Sequence, residues 1–354
     1  MEEEDSRLNR YNKFIQKEEG ESSMYERKEK GTLYLVVPCY NEEEVIESSI
    51  EKLLDKLSRL VDQGKVTADS KIMFVNDGSK DNTLFLLHAA AKRENRISVL
   101  SFSTNFGHQS AILAGMLYSA KYASMVVTID ADLQQDIEAL DQFIACYDRG
   151  CEIVYGVRND RHSDGVFKKA TASCYYRFLH WLGCSIITNH ADYRLMSKRA
   201  IQILSQYQEV NLFLRGLVPT LGLPSDVVYF DVKKREAGTS KYTVKKMIHL
   251  ATNGITSLSV RPLQIITIFG LLTCVFGVGM AIYCLIDWIN GNTVPGYTTT
   301  LMVTLIMNGM TLLSLGIIGE YLGKLYMEAK KRPRYIVESF IWNGDENEQN
   351  GYSC

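Results

Sequence analysis

Neither glycine-rich phosphate signature occurs in this chain: no G-x-G-x-x-G follows an apolar run, and G-x-x-x-x-G-K-[ST] is absent. A dinucleotide fold or a P-loop is therefore disfavoured. The eight cysteines (39, 146, 151, 174, 184, 274, 284 and 354) include no C-x-x-C pair and no zinc spacing with histidine. That points to reduced thiols facing the cytosol and away from a disulfide framework. Charge of one sign is also missing, since the formal net charge is only −2. A generally nucleic-acid-binding surface is not expected. Residues 1–30 are too charged to supply the apolar region of a signal peptide, and they read as a mobile extension with no cleaved export signal.

What the chain does have is a repeated pattern of apolar runs ending in polar or acidic residues. Thr32 to Val37 ends at Pro38 and leads through Tyr40-Asn41 into Glu42-Glu43-Glu44 and an amphipathic stretch to Leu60. Asn41 is a plausible helix cap there, and the acids suit a helix N-terminus. Lys71 to Val75 ends in Asn76-Asp77-Gly78-Ser79, with Asp81-Asn82-Thr83 opening the next helix. Ile97 to Phe102 precedes the loop Asn105 to Gln109 and a small-residue helix, Ser110 to Ala120. Met125 to Ile129 then ends in Asp130 and Asp132, with Gln134 two residues further on. Four strands alternating with helices imply right-handed crossovers and a mostly parallel α/β sheet. Acids at strand carboxyl ends lie where such sheets bind ligands, and hard oxygen donors suit Mg²⁺ or Mn²⁺ carrying a phosphorylated substrate. The plainer reading of D-x-D is a strand followed by a capped helix.

Further along, Glu152 to Gly156 is another short strand, and Val227 to Val232 a final one. Lys169 to Cys184 is an aromatic helix that would either lie in a membrane interface or pack on the sheet. The loop Lys233 to Tyr242 carries several cations around Gly238 and Ser240; it either grips phosphate or is a solvated basic loop. Leu263 to Ile286 and Asn292 to Gly319 contain no charged residue. Each exceeds the length needed to cross a hydrocarbon core of roughly 30 Å. Two transmembrane helices are expected at about 263–287 and 297–319. Lys245, Lys246 and Arg261 precede the pair, and Lys324, Lys330, Lys331, Arg332 and Arg334 follow it. By the positive-inside rule both ends face the cytosol. Thr243 to Ser259 reads as an interfacial amphipathic helix, or as a buried connector.

In their order and spacing, VVPCYNEEEVI (36–46), FVNDGSKDNT (74–83), NFGHQSAILAGM (105–116), DADLQQD (130–136), ADYRLM (191–196), LRGL (214–217) and REAGTSKY (235–242) resemble the family 2 inverting glycosyltransferases of GT-A fold. More narrowly, the chain is similar to the polyprenyl-phosphate glycosyltransferases, which include bactoprenol glucosyltransferases and are related to dolichol-phosphate mannose synthases. The resemblance covers about residues 33–337. It implies a Rossmann-like GT-A domain over 31–242, an amphipathic segment over 243–261, the two spans within 262–320, and a basic juxtamembrane segment with a polar tail over 321–354.

Roles follow from the resemblance at matching positions. Pro38, Tyr40, Glu42 and Asp77 would line the nucleotide pocket, with Asp77 on the base and Asp130 facing the ribose or a metal-bound water. Asp132 and Gln134 would ligate Mg²⁺ or Mn²⁺ at the diphosphate. Asp192 and Arg194 would sit by the acceptor, while Arg215, Arg235, Ser240 and Lys241 would stabilise phosphate charge. The implied reaction moves a sugar, glucose by first choice, from a UDP-sugar to polyprenyl (undecaprenyl) phosphate on the cytosolic face of the cell membrane. UDP-GlcNAc, UDP-galactose or GDP-mannose are alternative donors. The acceptor phosphate has a second pKa near 6, so it is largely anionic at neutral pH and needs no strong general base. The lipid bilayer is the implied partner, nucleic acid is not, and Gly270, Gly277 and Gly279 would permit helix association in a homo-oligomer. A processive polysaccharide synthase is the first rival, but Q-x-x-R-W is missing, with EVNLFLRG (209–216) in its place. A scaffold or lipid-translocating protein is the second; it predicts loss of the D-x-D acids, which are intact. His108 would contact the donor or serve as a loop residue, and Cys39 has no paired base that would make it a nucleophile.

Overall fold

The computed structural model describes residues 29–159, 190–209, 213–231, 261–290, 296–342 and 345–347. The aromatic helix, the interfacial segment up to residue 260 and the loop holding Arg235, Ser240 and Lys241 lie outside the described residues, as do positions 1–28.

Along the chain run β1 (Leu33–Cys39), α1 (Ile46–Asp62), β2 (Lys71–Asn76), α2 (Thr83–Arg93), β3 (Ile97–Phe102), α3 (His108–Ser119), β4 (Met125–Thr128), α4 (Leu140–Asp148) and β5 (Ile153–Arg158). Then follow β6 (His190–Ser197), α5 (Lys198–Ser205), the single turn α6 (Leu214–Leu217), β7 (Ser225–Phe230), α7 (Arg261–Ile289), α8 (Tyr297–Ala329), β8 (Val337–Trp342) and β9 (Asp345–Asn347). The described residues before 232 and those from Pro333 onward form one compact unit, and Arg261 to Arg332 belong to a second.

In the first unit the strands form one sheet in the order β7-β5-β6-β4-β1-β2-β3-β8-β9. The expected parallel core is present, with β1 parallel to β2 and β4, and β2 parallel to β3. From β1 the chain winds outward through β2 and β3, then returns across β1 to place β4 on its other side. The carboxyl ends of β1 and β4 therefore flank a topological switch point, where open α/β sheets bind ligands.

Alternation along the strands separates two cores. Leu33, Leu35, Val37, Phe74 and Val127 face α1, α2 and α4, while Tyr34, Val36, Val75 and Val126 face α3, α5 and α6. Helix α1 places Ile46, Ile50, Leu53, Leu57 and Leu60 on its buried stripe. Its buried Lys56 reaches Glu138 at 2.6 Å and Asp141 at 2.5 Å, which ties α1 to the segment following the D-x-D motif.

Helix α3 lies close against the sheet because Gly115 has no side chain. A Cβ there would come to 2.4 Å from Val36 Cγ1 and 2.8 Å from Val75 Cγ2. Gly115→Ala is expected to cost about 1–3 kcal/mol through overpacking. A lowered thermal midpoint of the full chain is the check, and an unchanged midpoint would show that α3 can shift freely.

Two expectations need correction here. Asn41 does not cap α1, which begins after Val45; it adopts φ 54° and its side-chain oxygen accepts from Lys80 N at 2.8 Å. Asparagine tolerates this left-handed conformation, so it turns the chain between strand ends. The segment expected as a basic stretch and polar tail contributes β8, which pairs antiparallel with β3. Trp342 stacks on Tyr34 at 6.0 Å, with the Lys71 ammonium 4.6 Å from its ring centroid.

In the second unit, α7 contains an 18-residue window, Pro262–Gly279, with mean hydropathy 1.9 and none of it buried. Among the described residues this is the one helix long and apolar enough to cross a membrane. Helix α8 occupies the place of the second expected span and exposes Val303, Ile306, Leu312, Leu313 and Leu315. The expected pair of spans is thus supported by length and composition for its first member alone.

Candidate active site

At the carboxyl ends of β1 and β2, two loops are laced together. Asn41 N donates to Ser79 Oγ at 3.0 Å, and Glu42 N to Thr83 Oγ1 at 2.9 Å. Tyr40 stands out between them, 41% exposed, whereas Pro38 is buried in β1 beside Val75. Asp77 is buried, and its two carboxylate oxygens accept from Phe106 N at 2.7 Å and Gly107 N at 3.0 Å. Burial pushes its carboxyl upward against the pull of these amides and of His108. Gly78, at φ 64°, lets this loop pack directly on Thr104, whose carbonyl carbon would lie 2.4 Å from an added Cβ.

After β4 the chain makes a tight turn. Leu133 N donates to Asp130 O at 3.1 Å, and Leu133 sits at φ 44°. A leucine in that region costs roughly 1–2 kcal/mol. Burial of its side chain holds it there, and local strain of this kind gathers at functional sites. The turn leaves Asp132 half-buried, accepting from Gln134 N at 3.2 Å. Asp130 accepts from the amide nitrogen of buried Gln135, and the oxygen of that amide has no hydrogen-bond partner among the described residues. Burial, with Asp192 and Asp132 nearby, raises the Asp130 carboxyl, while His108 opposes the shift.

The other half of the site comes from β6. This strand runs antiparallel to β4 with Thr128 opposite Arg194, and Thr128 Oγ1 donates to Asp192 O at 2.5 Å. That register sets Asp192 beside the end of β4. Asp192 and Arg194, two residues apart, share one face of the strand, and Tyr193 points into the opposite core. Arg194 Nη2 lies 2.6 Å from Asp192 Oδ1, and Arg215 Nη2 lies 2.8 Å from Oδ2. Arg194 also donates to Leu214 O at 3.2 Å, which fixes the turn α6 that carries Arg215. Burial would raise the Asp192 carboxyl, but His108 and the two guanidiniums together hold it well below the usual carboxylate range. The group is an anion that resists protonation, which makes it a weak proton acceptor.

Residues 34–204 match the Glycosyl transferase family 2 pattern. The chain is 42% identical over 315 residues to an uncharacterized glycosyltransferase, YkoT, of Bacillus subtilis (strain 168), covering 88% of this chain and 92% of the relative. It belongs to glycosyl transferase family 2. A bactoprenol glucosyl transferase of Shigella phage SfX is 36% identical over 307 residues, which is 86% of this chain and 98% of that protein. Among solved structures, a mannosyltransferase from Pyrobaculum calidifontis in complex with GDP-Man and Mn²⁺ aligns with a TM-score of 0.39 and 13% identity, covering 86% of this chain and 87% of that one.

In this glycosyltransferase the structure brings Asp130, Asp192, Arg194 and Arg215 together around His108. Asp132 and Gln134 lie on the adjoining turn, and Asp77 anchors the loop leading to His108. Arg194 is fully buried, so it can act on a bound group only through Asp192. Arg215 is more accessible, with 37% of its side chain exposed. Sequence reasoning left His108 undecided and passed over Gln135, whose amide meets Asp130. The one available signal was position: both residues stand directly beside a strand-end motif.

Cys39 is buried, and its thiol is pushed well up by burial, Glu42 and Asp81, so it is no nucleophile. A surface hollow bordered by Gln142, Cys146, Arg149 and Asp226 holds none of the site residues. Its Cys146 thiol is pushed up to about 11, chiefly by burial and then by Asp226.

Proposed function

We propose that the chain is a membrane-bound inverting enzyme that moves a hexose, glucose by first choice, from a UDP-sugar to a polyprenyl phosphate at the cytosolic face. The observation that carries this reading is the state of Asp192. A hydroxyl acceptor would need a base, and Asp192, the carboxylate assigned to the acceptor side, is pinned by two arginines that make it a poor proton acceptor. A phosphate acceptor arrives already anionic and needs none. Its oxygen attacks the anomeric carbon as the bond to UDP breaks, and UDP leaves with the electron pair. A donor of α configuration gives a β-linked lipid phosphate.

Asp192 orients Arg215, whose exposed face meets phosphate charge; Arg235, Ser240 and Lys241 are assigned the same task. Pro38, Tyr40, Glu42 and Asp77 are assigned to the nucleotide, and Asp130 to its ribose. Among the described residues no three acidic, histidine or cysteine side chains form a ready cage for an ion. One carboxylate on a fixed turn nevertheless fits Mg²⁺ or Mn²⁺, which keep waters and take substrate phosphates as ligands. Asp132 and Gln134 would hold it. Bound there, it supplies neutralising charge to the departing diphosphate.

The relatives named bactoprenol glucosyl transferase support the polyprenyl acceptor. Connectivity supports two spans. Strands β7 and β8 belong to one sheet, so both lie on the same side of any membrane that the chain between them crosses. An even number of crossings follows: if Pro262–Gly279 spans the bilayer, α8 provides the return.

The test gives membranes containing the protein a panel of radiolabelled UDP-glucose, UDP-GlcNAc, UDP-galactose and GDP-mannose with undecaprenyl phosphate and Mg²⁺ or Mn²⁺. Label is expected in the organic phase with UDP-glucose. Absence of lipid label from every donor would refute the reading, and label in insoluble polymer would favour a processive synthase.

A further inference from the structure

His108, the first residue of α3, points its Nε2 between two carboxylates, 3.6 Å from Asp130 Oδ1 and 3.7 Å from Asp192 Oδ2. Both distances are too long for a good hydrogen bond and short enough for an ion pair. Charge, more than a directed N–H bond, is therefore what the ring brings to this place.

The ring's position is built from both sides. Asp77 holds the amides of Phe106 and Gly107, immediately before it. Immediately after it, Gln109 Oε1 accepts from Leu214 N at 3.1 Å, and Leu214 begins the turn that carries Arg215. One short segment thus joins the loop after β2, the end of β4, strand β6 and α6.

Among the described residues, Asp77, Asp130, Asp192 and Arg215 are the charged groups acting on His108 or responding to it. We propose that His108 is a positioning residue that acts as a cation, holding donor-side Asp130 and acceptor-side Asp192 in one site against their mutual repulsion. The assignment of sides rests on the transfer reading above. Burial and Arg215 disfavour the charged ring, yet Asp192 and Asp130 outweigh them and raise its pKa. Two anionic substrates must enter this site, so loss of one positive charge weakens their binding as well as the alignment of the two carboxylates.

The test compares His108→Gln with His108→Lys in the full-length protein in detergent micelles. Glutamine keeps an N–H donor without charge, and lysine keeps charge without the ring. Steady-state transfer is measured at varied donor and varied lipid phosphate, with thermal melting as a control for folding. His108→Gln is expected to lose about tenfold or more in kcat/KM while melting with the wild type, and His108→Lys to recover to within about threefold. Full activity in the glutamine variant would overturn the proposal, as would a lysine variant no better than glutamine. If the wild type transfers no sugar to lipid, the transfer reading fails, and the bridge is read from UDP binding with Mg²⁺ by calorimetry. Weaker binding in the glutamine variant, restored by lysine, supports it; equal binding in wild type and glutamine variant overturns it.

Discussion

Asp192→Ala is expected to destabilise the sheet-bearing unit by about 3–5 kcal/mol, because it strands a buried guanidinium. Arg194 is fully buried, and Asp192 is its ion-pair partner at 2.6 Å. Removing the carboxylate leaves that charge uncompensated and frees Arg215 from the same group. Sugar transfer should disappear with it. Asp192→Asn keeps an oxygen for one guanidinium and should fall between alanine and wild type in thermal melting.

The pH dependence has a definite sign. The folded carboxyl lies well below its ordinary value, so its contribution is fully present above the unfolded pKa of about 3.9 and fades as pH falls toward the folded value. The alanine deficit should therefore persist through the neutral range and shrink only once the pH falls below about 3.9. An alanine variant that melts with the wild type would mean that Asp192 does not neutralise Arg194.

Asp132→Ala is expected to have the opposite profile, with a large loss of activity and little change in stability. Asp132 is half-buried, and its carboxylate accepts a backbone hydrogen bond of 3.2 Å from Gln134. Losing that bond costs about 1 kcal/mol. Losing the group assigned to the diphosphate ion should cost about a thousandfold in kcat/KM, in the range of removing a main electrostatic stabiliser of a leaving group. Transfer equal to wild type, at saturating Mg²⁺ or Mn²⁺, would remove Asp132 from that role. The contrast with Asp192→Ala matters, because one carboxylate holds the fold and the other is assigned to the substrate.

Much of this architecture was legible in the sequence because its causes are local. Apolar runs with polar ends marked β1 to β4, and the strand-end acids Asp77, Asp130 and Asp132 were visible for the same reason. What escaped was set by pairing between distant segments. The antiparallel register of β6 on β4 puts Asp192 beside Asp130 across more than sixty positions of chain, and no periodicity reports that. Burial of Arg194 follows from the same pairing. His108 was undecidable because its meaning lies in partners from β4 and β6. Strand β8 is short and follows a long apolar helix, so its return to the edge of β3 left only V-E-S-F-I-W as a signal. Asn41 was read as a cap because asparagine serves both caps and left-handed turns, and only the backbone angle separates the two.

Mass spectrometry of the lipid made by the full-length protein from UDP-glucose and undecaprenyl phosphate tests the central claim most directly. The account predicts a species carrying one hexose and a single phosphate, formed in step with free UDP and absent with Asp132→Ala. A lipid bearing two phosphates, a lipid with a chain of sugars, or unmodified lipid beside consumed donor would contradict it.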